Sequence, residues 1–209
     1  MRKETMLYKF NTMLFTRSLF LFSLLLLPTT VPATGSFLYF AYGSNLLKER
    51  LTLNNPSATV QSTAKLQDYT LVFGSHKGQY SQRWRGGVAS IEPSAGDTVW
   101  GVMYKINTTD MENLDRQEGV SSGVYSPALV RVSSYGQTVI CRTYIMNNRT
   151  PSLPSPQYLQ VIRMGAKQNR LPKYYQDKLN NIKYNNFDGH LPVMDEIKAA
   201  LQNSKKGPK

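Results

Sequence analysis

The chain has 209 residues, a formal net charge of +12 at pH 7, one cysteine and two histidines. A lone cysteine excludes an intrachain disulfide, and His76 and His190 stand too far apart, in polar surroundings, to start a metal site. The basic residues are scattered, apart from the tail S-K-K-G-P-K. No helix-turn-helix, zinc-finger or RNP-like pattern goes with them, so nucleic acid is not the expected partner.

The first 17 residues carry Arg2, Lys3, Lys9 and Arg17, and an uncharged apolar run of ten residues follows over 18–27. Pro28 and then V-P-A come next, with small residues at Val31 and Ala33. A basic segment, a short apolar run and small residues follow the order of a secretory signal peptide, cleaved near Ala33. The run is short of the roughly 20 residues that a bilayer requires. A retained signal anchor is the competing reading, and a start at Met13 would make the leader more compact. Cleavage leaves residues 34–209 as one secreted domain. Its charge is +9, from 21 basic and 12 acidic residues. N-T-T at Asn107 and N-R-T at Asn148 are glycosylation acceptors in an exported chain.

The first element is F-L-Y-F-A-Y-G-S-N-L-L, Phe37 to Leu47. Its aromatic run reads as a strand buried on both faces and stopped at Gly43. Ser44 and Asn45 suit a polar turn, and L-L-K-E-R-L has the spacing of a short helix. Strand, turn and helix start would aim N–H groups at one point and suit an anion. A plain strand-to-helix connection is the alternative. An extended segment ending at Gly74 follows, then the polar, turn-rich S-H-K-G-Q-Y-S-Q-R-W-R-G-G. V-A-S-I-E-P is a short strand, P-S-A-G-D a turn, and T-V-W-G-V-M-Y-K-I another strand. S-P-A-L-V-R-V-S-S and T-V-I-C-R-T-Y-I-M form a hairpin around Y-G-Q, with Cys141 as a small buried residue. A Pro-rich connection leads to Ser155 and Pro156, cap and first residue of a helix running to about Gln168. L-P-K-Y-Y-Q-D-K-L and P-V-M-D-E-I-K-A-A-L begin two more helices. Strands in the middle and helices at the end make an α+β domain.

One carboxylate stands out. Thr109 and Glu112 have capping-box spacing and Gly119 is a stop, so a helix is expected over residues 110–118. Met111, Leu114 and Glu118 then share a face, which puts Glu118 on the core side of the last turn. Burial and the negative helix end should both raise its pKa toward neutrality, as a group that takes and then returns a proton requires. The alternative is a Glu118 side chain rolled out to solvent. Asp115 reads as a surface charge.

F-L-Y-F-A-Y-G-S-N-L-L, L-D-R-Q-E-G-V-x-x-G-V-Y, C-R-T-Y-I-M and P-S-P-Q-Y…M-G-A-K…L-P resemble the gamma-glutamylcyclotransferase family in order and spacing, from Phe37 to about Tyr184. The Y-G-S-N turn alone is shared with sister families that act on glutathione or on gamma-glutamyl-lysine amides. The resemblance implies a compact barrel-like mixed β-sheet flanked by α-helices. It also implies a lyase or acyltransferase that cleaves gamma-glutamyl amino acids to 5-oxoproline and a free amino acid, with no metal or other cofactor. Carried over by position, Glu118 is the catalytic acid/base. Tyr39, Phe40, Ala41, Tyr42, Gly43 and Ser44 form the substrate-binding turn, and Tyr158 and Tyr125 face the same pocket. The expected partner is a small gamma-glutamyl amino acid or peptide, and a homodimer is left open. The leader departs from a family that is mostly cytosolic. Two alternatives stand beside this reading: a cyclotransferase for gamma-glutamyl amides of larger amines, and a non-catalytic secreted protein that binds an anion or a partner on the same fold.

Overall fold

The computed structural model describes residues 35–206, so the leader expected over 1–33 lies outside the described residues. The strands are β1 (Ser36–Ala41), β2 (Thr59–His76), β3 (Val88–Asn107), β4 (Tyr125–Ser134), β5 (Gln137–Met146) and β6 (Arg149–Pro151). The helices are α1 (Lys48–Thr52), α2 (Met111–Gln117), α3 (Pro156–Gln168), α4 (Lys173–Asn180) and α5 (Pro192–Lys205). The sheet runs β3-β1-β5-β4-β2, and β2 pairs again with β3, so five strands close into a barrel. Only the β1–β5 pair is parallel, which makes the barrel mixed. β6 extends the far end of β2. The expected α+β class and barrel-like sheet are the architecture observed.

Local chemistry accounts for most of these elements. Tyr135 and Gly136 both take positive φ between Ser134 and Gln137, the type I′ geometry that matches strand twist. Ser155 caps α3 by accepting from the Tyr158 N–H, with Pro156 as the first helical residue. Cys141 is buried among apolar neighbours, and burial pushes its thiol up to about 11. Asn107 and Asn148 are both exposed, as a glycan acceptor must be.

Three expectations are corrected. P-S-A-G-D is not a turn between two strands, because β3 continues through it. Gln67 pairs with Thr98 and Tyr69 with Pro93, so residues 94–97 bulge out opposite Asp68 alone. The Asp68 carboxylate accepts the Gly96 N–H at 2.9 Å and holds the bulge in place. Second, the capping box does not form. A 3-10 turn over Thr108–Asp110 moves the start of α2 to Met111, and Asp110 accepts from the Ser57 N–H and hydroxyl instead. Glu112 pairs with Arg116 at the surface. Third, Asp115 is no free surface charge: it pairs with Arg142 at 2.6 Å and accepts from the Tyr144 hydroxyl.

Candidate active site

β1 delivers the site. Its last residues, Tyr39, Phe40 and Ala41, are buried, and the chain then leaves the barrel through Tyr42 and Gly43 into a 3-10 turn over Ser44–Leu46. The expected helix follows only at α1. The turn is clamped from behind, where Tyr104 and Asn169 both donate to the Leu46 carbonyl, at 3.1 and 2.8 Å. Helix α3 crosses so closely that a Cβ at Gly165 would lie 2.4 Å from the Leu46 and Leu47 backbone. The same helix carries Tyr158, two turns earlier, to the other side of the turn. There its hydroxyl accepts the Ala89 N–H at 3.0 Å.

Glu118 arrives from the opposite side. Gly119 at φ +65 ends α2 in a Schellman arrangement, in which the Val120 N–H reaches the Asp115 carbonyl and the Gly119 N–H that of Arg116. Glu118 is therefore the C-cap, one residue beyond the helix, and its carboxyl turns inward. Asn45 Nδ2 donates to Glu118 Oε1 at 3.1 Å and to the Tyr39 hydroxyl at 3.0 Å. Gln117 Nε2 donates to Glu118 Oε1 at 3.3 Å and to Asn45 Oδ1 at 3.1 Å.

These residues wall a small inner chamber of about 40 Å³. Tyr39, Tyr42, Gly43, Ser44, Asn45, Ala89, Glu118, Tyr125, Tyr144 and Tyr158 line it. It opens into an outer cleft of about 370 Å³, and Ser44, Glu118, Tyr125 and Tyr158 line both spaces and so form the neck. Among the described residues, Glu118 is the only carboxyl on either wall.

Burial pushes the Glu118 carboxyl up to about 7, against the lowering effect of the Arg50 cation and of the bonds donated by Gln117 and Asn45. A smaller upward push comes from Asp115. The rise follows the expectation from burial, and the Asp115 charge adds a cause that was not foreseen. Burial likewise keeps the Tyr39, Tyr42 and Tyr125 hydroxyls protonated, and it pushes Tyr158 up to about 12. At neutral pH the chamber therefore offers neutral hydroxyls and one carboxyl able to exist in either form. It can bind an ammonium or a carbonyl and move a proton between two atoms of a bound molecule.

Of the sequence-predicted residues, Glu118, Tyr39, Tyr42, Gly43, Ser44, Tyr125 and Tyr158 come together at the chamber. Phe40 and Ala41 do not line it, since both are fully buried in the core behind it. The alternation of β1 predicts this for Phe40, which points opposite to Tyr39. Sequence reasoning gave no site role to the Asn45 side chain, Gln117 or Tyr144. Asn45 stands inside the Y-G-S-N turn and Gln117 directly before Glu118, so neighbourhood was their only signal. Arg50 and Trp84 were missed as well. Trp84 is buried on the cleft wall with its ring 4.8 Å from that of Tyr158.

Barrel and site together define the class, a small-molecule enzyme on an AIG2-like fold: the AIG2-like family profile matches residues 98–179. The gamma-glutamylcyclotransferase of Bos taurus is 52% identical over 168 residues, 80% of this chain and 88% of that protein. The Homo sapiens gamma-glutamylcyclotransferase is 49% identical over 174 residues, 83% of this chain and 92% of its own length. A solved structure described as gamma-glutamyl cyclotransferase superposes with a TM-score of 0.77 at 49% identity, covering 79% of this chain and 99% of that one. The chain belongs to the gamma-glutamylcyclotransferase family. These relatives lend no support to a non-catalytic binding protein on the same fold.

Proposed function

We propose that the protein converts gamma-glutamyl amino acids to 5-oxoproline and a free amino acid, with Glu118 as the group that moves the proton. The observation that carries this reading is the Glu118 carboxyl, raised to about 7 at the neck of a chamber otherwise walled by neutral groups. As a carboxylate it takes a proton from the substrate's α-ammonium. The freed amine attacks its own γ-carbonyl carbon, forming the C–N bond of a five-membered ring and an oxyanion. When the oxyanion collapses, the bond to the departing nitrogen breaks and Glu118 returns its proton to that nitrogen, while the ring nitrogen sheds the second of its two protons to the departing amine, which leaves as an ammonium. The carboxylate is restored, and no covalent intermediate with the protein forms.

The attack is intramolecular, so the chamber's task is conformational. It must hold the glutamyl chain folded back on itself, which replaces an entropic barrier by binding. The Tyr39 hydroxyl accepts from Asn45 and so has its proton free for a carboxylate or carbonyl oxygen of the glutamyl part, whereas the Tyr42 and Tyr125 hydroxyls donate to the Tyr144 and Ala89 carbonyls and shape the wall. The turn from Gly43 to Asn45 supports a role in receiving the oxyanion through its N–H groups.

The test is 5-oxoproline release from gamma-glutamyl-alanine by residues 34–209, beside Glu118→Gln. Release that vanishes in the variant supports both substrate and acid/base. Turnover retained in Glu118→Gln overturns the assignment of Glu118. We also propose export through the 1–33 leader. Mass spectrometry of the secreted protein should find an N-terminus near residue 34, and an intact leader on a cell-bound form would overturn it.

A further inference from the structure

Arg50 has no role in the reaction just described, yet it is the least satisfied charge beside the site. Only 3% of it is exposed. Among the described residues, its Nε has no hydrogen-bond partner and it makes no ion pair with a carboxylate. Its one hydrogen bond, from a terminal guanidinium nitrogen to Gln117 Oε1, is long at 3.4 Å. The guanidinium carbon stands 5.9 Å from the Trp84 ring centre, which offers a partial counterweight. A buried, unpaired guanidinium is costly, and burial together with neighbouring Arg83 presses its pKa down. The charge of Glu118 on the same cleft wall acts the other way, but when Glu118 holds its proton Arg50 has no counter-charge, and an anion in the cleft would supply one.

The surroundings say where that anion belongs. Arg50 lines the outer cleft and not the inner chamber. Arg83 and Arg116 line the same cleft, but their charges are taken up by Glu196 and Glu112. With the glutamyl part in the inner chamber and its γ-carbonyl at the neck, everything beyond the scissile bond lies in the outer cleft. We infer that the Arg50 guanidinium, set against Trp84, receives the carboxylate of the departing amino acid and makes the enzyme select gamma-glutamyl amino acids over gamma-glutamyl amines. This rests on the reaction proposed above.

The experiment compares kcat/KM for gamma-glutamyl-alanine and gamma-glutamyl-alaninamide, in wild type and in Arg50→Gln. A charge-assisted bond of ordinary strength predicts that the acid-to-amide ratio falls about 10- to 100-fold in the variant, through a loss on the acid that the amide does not share. Arg50→Gln also removes a cation that lowers the Glu118 pKa, but that effect touches both substrates and cancels in the ratio. An equal loss on both substrates overturns the inference and leaves the cyclotransferase reading standing. No 5-oxoproline from the acid and none from the amide, with folded wild type, overturns both. A measurement that needs no variant is inhibition of the wild type by free alanine and by alaninamide. Alanine should inhibit about tenfold better or more, and equal inhibition overturns the inference.

Discussion

Replacing Glu118 by Gln should make the protein more stable at alkaline pH while removing its proton carrier. The folded carboxyl titrates at about 7 against an ordinary value of 4.5. Between those values the unfolded chain has released this proton and the folded chain has not. Stability therefore falls as pH rises through the window and levels off above about 7. At 1.36 kcal/mol for each pH unit, the full loss is about 3 kcal/mol. Gln fills nearly the same space without a titratable proton, so Glu118→Gln escapes the loss. Urea unfolding of both proteins at about pH 5 and about pH 8 reads the difference as a shift in midpoint at constant slope. The variant should gain about 2–3 kcal/mol on the wild type between the two conditions. Parallel behaviour would mean that Glu118 titrates as an exposed carboxylate, and the burial argument would be refuted.

The activity should climb with pH through the same window, because the ionised form of Glu118 is the one that accepts the first proton; a wild-type kcat/KM profile flat from about pH 6 to about pH 8 counts against the assignment. A Cβ at Gly43 would lie 3.1 Å from the Ala89 Cβ and 3.3 Å from the Tyr158 hydroxyl. Gly43→Ala should thus cost turnover about tenfold with only about 1 kcal/mol of stability, as kcat/KM and urea midpoints will show. Tyr158→Phe leaves the buried Ala89 N–H without its acceptor and should destabilise by about 1–3 kcal/mol, measured by urea unfolding. Gly165→Ala drives a methyl into the Leu46–Leu47 backbone and should cost about 3 kcal/mol. Activity should fall with it, because the same backbone carries the site turn.

Much of the site was legible because its signals are local. An aromatic strand stopped at Gly43, a Ser155–Pro156 helix start and a Gly119 stop each follow from one or two residues, and each lies where expected. The core-side placement of Glu118 followed from its spacing to Leu114. What escaped the sequence was decided across the fold. The P-S-A-G-D bulge reads as a turn because nothing near it reveals that β2 places the Asp68 carboxylate opposite. Trp84 sits among Ser, Gln and Arg in the chain, and the side chains against its ring, Tyr158 and Arg50, come from distant elements. Arg50 lies in a short helix whose pattern allows an outward arginine, so its confinement could not be read from K-E-R-L. The upward shift at Glu118 was legible in sign, since burial is its largest cause. The opposition from Arg50 and Asn45 depends on contacts between separate elements, and that from Gln117 on how its side chain turns.

The shared neck has a kinetic consequence. Among the described residues, the inner chamber borders the outer cleft at Ser44, Glu118, Tyr125 and Tyr158, and a molecule leaving along that route must cross the cleft. On the proposed reaction, the amino acid formed in the cleft stands in the way of the cyclised product behind it. Release is then ordered, amino acid first and 5-oxoproline second. The steady-state signature is competitive inhibition by 5-oxoproline and noncompetitive inhibition by the amino acid, so a high concentration of free amino acid would hold a finished ring inside the barrel mouth.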